Sequence, residues 1–270
     1  MGESIKIAGW SPYRRAGGVT GHVLAISEMA ADYFGKQVDL RADHFGARPV
    51  EGYISEFSRT VCFSHNEDFY SGPDYPNYCG CLMRYESVYM GKAEGVAWRY
   101  AGTGNLRLLR PVRFYEDSAF EGGSGEVCFV DSSGRNSPYS FRMLNEADMI
   151  LVFLPDNSIE IRRFFHLYSY FLSKSFFIIN NYSPDNSFVF DILEEHKVSR
   201  NRIATMPYCP EFARACIERN VDVMIRCQIQ RRRKSRYFKC VKEITKRVLI
   251  EAQRQAGSAK AVRENENGSK

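Results

Sequence analysis

Residues 5–38 read IKIAGWSPYRRAGGVTGHVLAISEMAADYFGKQV, and this stretch decides the fold. Its first six residues form an apolar run that is typical of a buried strand. Apolar residues then recur three or four positions apart, which predicts a helix that carries Val23, Ile26, Ala30 and Phe34 on one face. Gly35 ends this helix, because glycine tolerates the left-handed conformation found there. A strand, a glycine-rich loop and a helix in this order predict the opening unit of a nucleotide-binding α/β domain.

The glycine-rich loop is the candidate phosphate site, because free backbone N–H groups at a helix N-terminus bind anions. A Walker-type loop ends in Gly-Lys-Ser/Thr, with the Lys on the terminal phosphates and the hydroxyl on magnesium. Here the Lys position falls on Gly18 or Val19, depending on the register. Thr20 still offers a hydroxyl, and Arg14 and Arg15 offer charge from upstream. The loop alone therefore leaves two interpretations open, a nucleotide site and a plain turn between strand and helix.

Length and composition bound the architecture. The 270 residues are 44% hydrophobic, which is sufficient for a full core. We predict one α/β domain over residues 1–256, an irregular insertion near 43–81 and a disordered polar tail over 257–270. No apolar run reaches the length of a membrane span, and the first residues lack a signal-peptide pattern. These features predict a cytoplasmic protein, with membrane association or polar placement in the cell as further options.

Strands and helices alternate along most of the chain. Strands are predicted at 5–10, 37–41, 104–111, 127–131, 148–155, 175–181 and 202–208. Helices are predicted at 23–34, 82–100, 141–147, 158–170, 189–196, 211–219 and 238–254. This alternation predicts an α/β fold with a doubly wound, mostly parallel sheet and helices on both faces.

Two polar residues follow buried strands, at the sheet edge where open parallel sheets bind ligands. Asp131 ends the strand Val127-Cys128-Phe129-Val130 and could hold magnesium through its water shell. Asn181 ends the strand that begins at Ser175. The alternative for Asp131 is the cap of the next turn, and the alternative for Asn181 is a loop contact. The eight cysteines show no zinc spacing, so we expect reduced thiols.

The net charge of +5 is concentrated in one segment. Residues 231–247 contain nine Lys or Arg and one Glu, so the remainder has 28 basic and 31 acidic residues. One interpretation of this segment is a solvated connection into the last helix. The other is an anionic contact through Arg231, Arg232, Arg233 and Lys234, with Tyr237 and Phe238 entering the interface. A membrane or protein partner is favoured over DNA, because no helix-turn-helix is visible and the remainder of the chain is net negative.

With these motifs in order, the chain resembles the ParA/MinD family of deviant Walker P-loop ATPases, and most of all its divergent TadZ-like members linked to pilus assembly. The resemblance covers residues 4–250. It is carried by the loop with Gly17 and Gly18, by Asp131, by Asn181, and by Pro207 and Ala215, which seven residues separate. The resemblance implies a homodimer that binds ATP and Mg²⁺. The residues it implies at the nucleotide are Arg14, Arg15, Gly17, Gly18, Thr20, Asp131, Asn181 and Pro207, with Thr20 and Asp131 at the metal.

The departures from the family pattern concern hydrolysis. The family has a Lys before the double glycine that reaches across the dimer, and Arg14 or Arg15 would have to replace it. The Walker Lys is absent, and the family's acids after the second strand fall on Ala42 and His44. The resemblance thus implies a dimerising positioning or scaffold protein, in pilus or secretion assembly, with weakened or lost ATP hydrolysis. The alternative is an active ATPase that uses Arg14 or Arg15, and an unrelated α/β enzyme is a third option.

Overall fold

The computed structural model describes residues 4–13, 18–42, 96–99, 105–109, 120, 125–133, 138–186, 188–232 and 234–267. The predicted insertion near 43–81 lies outside them. Eight strands belong to one sheet: β1 Ile5–Ser11, β2 Val38–Ala42, β3 Val96–Arg99, β4 Leu106–Leu109, β5 Val127–Ser133, β6 Met149–Pro155, β7 Ser175–Asn180 and β8 Ile203–Met206. The α-helices are α1 Val19–Glu28, α2 Pro138–Glu146, α3 Ser158–Tyr168, α4 Phe188–Glu195, α5 Pro210–Glu218, α6 Val221–Gln230 and α7 Arg236–Asn267.

The strand order is β3-β4-β2-β5-β1-β6-β7-β8. The seven strands from β4 through β2, β5, β1, β6 and β7 to β8 pair in parallel, whereas β3 pairs with β4 antiparallel at the edge. Strand β1 lies in the centre, between β5 and β6, and its residues Ile7 to Ser11 are fully or almost fully buried. The predicted doubly wound α/β fold is confirmed. All parallel strands end at one edge, which is where a ligand site is expected.

Two hydrophobic clusters cover the two faces of the sheet. The first face packs against α1, α6 and α7, with Val23, Ile225 and Val241 fully buried. The second face packs against α2, α3 and α4, around a group of aromatic rings centred on Trp10. Successive side chains of a strand point to opposite faces of the sheet, so neighbouring residues of one strand pack against different sets of helices.

Three predicted boundaries differ from the structure. Residues 96–99 form strand β3, inside a range predicted to be helical. Helix α6 is absent from the prediction, because its sequence VDVMIRCQIQ has no clear helical period and mostly alternates apolar and polar residues. Packing of the buried Val221 and Ile225 stabilises it as a helix. Helix α7 extends to Asn267, through most of the range predicted to be a disordered tail.

Candidate functional site

The first turn of α1 lies at the ligand edge of the sheet. Gly18 precedes the helix with φ of +75°, a left-handed conformation that favours glycine, and its carbonyl accepts the His22 amide at 2.8 Å. Among the described residues no side chain caps this helix, and a helix N-terminus is a place that favours anions. Arg14, Arg15 and Gly17, three of the predicted nucleotide-binding residues, lie outside the described part of the chain.

Gly21 shows how tightly the first turn is packed. A Cβ atom at this position would lie 2.8 Å from the Sγ of Cys216 and 3.0 Å from the Cζ of Phe212, both on α5. Contacts this short leave no room for a side chain. A lysine could not occupy this position without displacing α5.

His22 is the residue that the sequence analysis missed. It belongs to the first turn of α1, is 5% exposed, and its Nδ1 lies 3.0 Å from the hydroxyl of Tyr237 at the start of α7. Its ring stacks on Phe212 with centroids 4.3 Å apart. Burial lowers the pKa of His22 to about 3, so the imidazole is neutral at physiological pH. None of the residues from Gly18 to His22 therefore carries a positive charge.

Asp131 and Thr20 lie on the same side of the sheet. Asp131 pairs in register with Gly9 of β1, and a Cβ on Gly9 would clash with Val23 of α1, so this register position faces α1. Asp131 is 2% exposed and Thr20 is 5% exposed. Asp131 does not end its strand as predicted, because β5 continues through Ser133. No group of three or more possible metal-ligating side chains occurs in the described part of the chain.

Asn181 and Pro207 come together at the ends of neighbouring strands. Asn181 follows β7 in a left-handed conformation with φ of +54°, and Pro207 follows β8. The amide of Tyr182 donates to the carbonyl of Met206 at 3.0 Å, which joins the two strand ends. The Asn181 side chain is exposed and Pro207 is half-buried. The two residues that the resemblance places at a nucleotide base are thus adjacent in space.

Two further contacts fix the loops around this edge. Asp156, at the end of β6, accepts from the amide of Ser183 at 2.9 Å and from Nδ2 of Asn186 at 2.8 Å. The Tyr13 hydroxyl donates to the Glu160 carbonyl at 2.7 Å, which ties the loop after β1 to α3. Burial raises the pKa of Tyr13 to about 12, with a smaller contribution from Glu160, so the phenol remains a donor.

The basic segment is partly used inside the protein. Lys234 donates its ammonium group to the carbonyls of Gln228, Ile229 and Arg231, so it caps the end of α6. Tyr237 and Phe238 are 2% and 1% exposed. The expectation that these aromatic rings enter an interface is therefore wrong. Arg231 and Arg232 are exposed, whereas Arg233 lies outside the described residues.

The site has the donor types that a magnesium-bound nucleotide needs. The N–H groups of α1 suit phosphate oxygens, and the carboxylate of Asp131 with the hydroxyl of Thr20 are oxygen ligands of the kind magnesium prefers. The described residues of the first turn supply no cation to offset the phosphate charge. Positive charge at the phosphates accelerates phosphoryl transfer, and the described residues of this turn do not supply it.

Comparison with solved structures decides the fold family. A ParA family ATPase from Chlorobium tepidum TLS matches with a TM-score of 0.58 at 10% identity, over 90% of this chain and 99% of that chain. The chain has the ParA/MinD fold. The MinC:MinD cell division protein complex from Aquifex aeolicus matches with a TM-score of 0.57 at 15% identity, over 90% of this chain and 96% of that chain. The septum site-determining protein MinD from Pyrococcus horikoshii OT3, complexed with Mg-ADP, matches with a TM-score of 0.58 at 11% identity, again over 90% and 96%.

The sequence itself gives no such match. No protein-family model matches it, and no curated protein matches it either. The predicted ParA/MinD-type fold is confirmed by structural similarity, and at identities of 10–15% that similarity establishes the fold and nothing beyond it. In this ParA/MinD fold, none of the helices in the described ranges is long and apolar enough to cross a membrane.

Proposed function

We propose that this chain is a positioning protein of the ParA/MinD type, which binds ATP with Mg²⁺ and hydrolyses it slowly or not at all. The observation that carries the proposal is the neutral, tightly packed first turn of α1, with Gly21 against Phe212 and a buried, uncharged His22. Nucleotide binding needs N–H donors and a surface that fits the nucleotide, whereas hydrolysis also needs positive charge at the phosphates. Among the described residues, the site has N–H donors and lacks that positive charge.

Each candidate residue then has a role. The N–H groups of α1 would hold phosphate oxygens, and Thr20 and Asp131 would hold Mg²⁺, which neutralises phosphate charge when bound. Asn181 would hydrogen-bond the edge of the base and Pro207 would cover its face. Losing one charge-stabilising donor costs about 3–4 kcal/mol in related chemistry, or about 10²–10³ in rate. The remaining groups would retain the nucleotide without turning it over efficiently.

The decisive experiment measures binding and turnover on the same protein. Equilibrium dialysis with ATP and Mg²⁺ should show saturable binding that Asp131→Asn weakens, while a phosphate-release assay should show turnover near the uncatalysed background. Absence of ATP binding by the wild-type chain would refute the proposal.

The alternative is an active ATPase that uses Arg14 or Arg15 in place of the P-loop Lys. These arginines lie just upstream of the glycines of the loop, separated from them by Ala16, which is the observation in its favour. Turnover well above background, abolished by Asp131→Ala and reduced by Arg14→Ala or Arg15→Ala, would establish it instead. A matched change at an exposed arginine, Arg162→Ala on α3, should leave turnover unaltered in either case.

The cellular role extends the same proposal. A dimer that positions other components fits the similarity to a MinD chain solved with MinC, and the sequence resemblance to TadZ-like proteins suggests a pilus or secretion apparatus as the partner. Neighbouring genes that encode pilus or secretion components would support this assignment, and a neighbourhood of unrelated metabolic genes would count against it.

A further inference from the structure

The ring of His22 presents one edge to the start of α1. A Cβ atom on Gly18 would lie 3.6 Å from both Cδ2 and Nε2 of His22 and 3.6 Å from Cε1 of Phe212. The edge that carries Nε2 therefore faces the residue that begins the helix. The His22 side chain is only 5% exposed, and its Nε2 has no hydrogen-bond partner among the described residues. A ring nitrogen that faces a helix N-terminus and has no hydrogen-bond partner among the described residues is a group available to a ligand.

The opposite nitrogen is fixed by Tyr237. The Tyr237 hydroxyl lies 3.0 Å from Nδ1 and is the partner that the described structure gives it. Burial raises the pKa of Tyr237 well above its ordinary value, so its proton stays on the oxygen. A buried hydroxyl satisfies that proton by donating it, and here the acceptor is Nδ1. With Nδ1 as the acceptor, the ring proton is on Nε2, which is therefore a donor.

Aromatic neighbours hold the ring in this orientation. Phe212 stacks on His22 at 4.3 Å with planes 12° apart, and Phe153 lies parallel at 5.9 Å and 9°. Phe212 also stacks on the ring of Tyr237 at 4.6 Å. Rotation of the imidazole would break both the stacking and the hydrogen bond. The direction of Nε2–H is therefore set before any ligand arrives.

We propose that His22 is a phosphate-binding residue, which donates Nε2–H to a phosphate oxygen of the nucleotide at the start of α1, and that Tyr237 is its positioning residue. This inference rests on the proposed function, because it requires a nucleotide at this helix. Tyr237 and Phe212 fix the direction of the ring before the nucleotide binds, so this hydrogen bond adds to the retention of the nucleotide.

The test uses ring-preserving substitutions in the full chain. His22→Phe keeps the stack on Phe212 and removes the donor, and Tyr237→Phe keeps its ring and removes the hydroxyl. Calorimetric titration with ATP and with inorganic pyrophosphate should show each single variant binding about three- to tenfold more weakly, the effect of one hydrogen bond. Tyr168→Phe, in the aromatic group on the second face, should bind as the wild type does.

A double variant separates positioning from direct contact. Tyr237→Phe added to His22→Phe should cause no further loss, because Tyr237 acts through His22. Additive losses would overturn the positioning role. Unchanged binding in both single variants, with Asn181→Gly still weakening ATP, would overturn this inference and leave the proposed function intact. Absence of ATP binding by the wild-type chain would overturn both.

A measurement on the unmodified protein covers the case in which a variant fails to fold. Long-range ¹H–¹⁵N NMR of the wild-type chain should show the Nε2–H tautomer of His22, and addition of pyrophosphate should shift the Nε2 resonance. An Nδ1–H tautomer, or an Nε2 resonance that saturating pyrophosphate does not move, would contradict the proposal.

Discussion

At the scale of single residues, glycines set the shape of the site through the space beside them. We predict that Gly21→Ala destabilises the fold by about 1–3 kcal/mol, as overpacking does, because its methyl group would meet Cys216 Sγ and Phe212 Cζ. Gly257 is the matched control, since it also lies in a helix but nothing lies within 4 Å of its added Cβ. Gly257→Ala should stabilise by about 0.5–1 kcal/mol. Urea unfolding measures the unfolding free energy of both variants. Equal changes in the two variants would show that the α5 side chains move aside at little cost.

Asn181 presents a different problem, because its conformation and its side chain must be tested separately. Its φ of +54° favours glycine, so Asn181→Ala would combine backbone strain with loss of the amide. Asn181→Gly removes the amide and keeps the conformation. We expect Asn181→Gly to weaken ATP binding about fivefold, the effect of one hydrogen bond, with little change in unfolding free energy. Equal ATP affinity in the variant and the wild type would remove Asn181 from the site.

These residues also show what the sequence could reveal about the site. Hydrophobic runs in the sequence show where strands end, and parallel strands bring their ends to one edge of the sheet. This is why the sequence could assign Asn181, Pro207 and Asp131 to the site. His22 could not, because its environment comes from Phe212 and Tyr237, about 190 and 215 positions away in the chain. A His in an apolar helix face gives no local sign of its partners. The available signal was that the stretch from Gly17 to His22 contains a His and no Lys, although a Walker-type loop carries a Lys.

At the scale of elements, α1 and α6 meet through a buried cluster of charges. Arg226 of α6 lies 3.5 Å from Glu28 of α1 and 2.5 Å from Asp222, and both carboxyl groups are essentially unexposed. Burial, Asp32 and Asp222 raise the pKa of Glu28 well above its ordinary value, against the opposing effect of Arg226. Helix α6 was invisible to periodicity, and part of what orders it is this contact with a helix some 200 residues earlier.

The Glu28 cluster makes stability depend on pH in a defined direction. The folded state binds a proton at Glu28 over a pH range in which the unfolded glutamate has lost it, so this contribution to stability falls as pH rises above about 4.5. We predict that Glu28→Gln removes this decline, as seen in urea unfolding between pH 5 and pH 8. Glu126→Gln is the control. The pKa of Glu126 is lowered by its hydrogen bond to Lys36, so it stays ionised across that range. A decline that persists in Glu28→Gln would assign it to another group.

The connection between α6 and α7 is the element that could contact an anionic surface. With Lys234 occupied as a cap and Tyr237 buried, Arg231 and Arg232 supply exposed charge, and Arg233 is the next basic residue in the sequence. Each basic residue near an anionic membrane contributes about 1 kcal/mol, so binding should be weak and lost at physiological salt. Co-sedimentation with phosphatidylserine vesicles should decrease when these three arginines are changed to Ala. Equal sedimentation, or a stronger shift of DNA in a mobility assay, would contradict a membrane contact.

At the scale of the whole molecule, the sheet was predictable and the arrangement of the last helices was not. Strands β1, β5, β6 and β7 are mostly apolar runs, and such runs in the sequence predict central parallel strands that are buried on both faces. Helices α5, α6 and α7 return to the face of α1 after the sheet is complete, and their packing depends on contacts between distant segments. The late helices also pack against the first turn of α1, through Phe212 and Tyr237 on His22, so the late part of the chain shapes the surroundings of the early loop.

The lifetime of an ATP-dependent homodimer would depend on the rate of ATP hydrolysis. If ATP supports a homodimer and hydrolysis is slow, the dimer should persist instead of cycling. We predict that analytical ultracentrifugation with ATP and Mg²⁺ shows a species of about twice the 31.0 kDa chain mass, unchanged over several hours. Arg14→Ala with Arg15→Ala should weaken it, because the resemblance places this segment across the dimer, while Arg162→Ala on α3 should not. Decay to monomer in step with phosphate release would instead identify an ATPase cycle, and a monomer under all conditions would remove dimerisation from the mechanism.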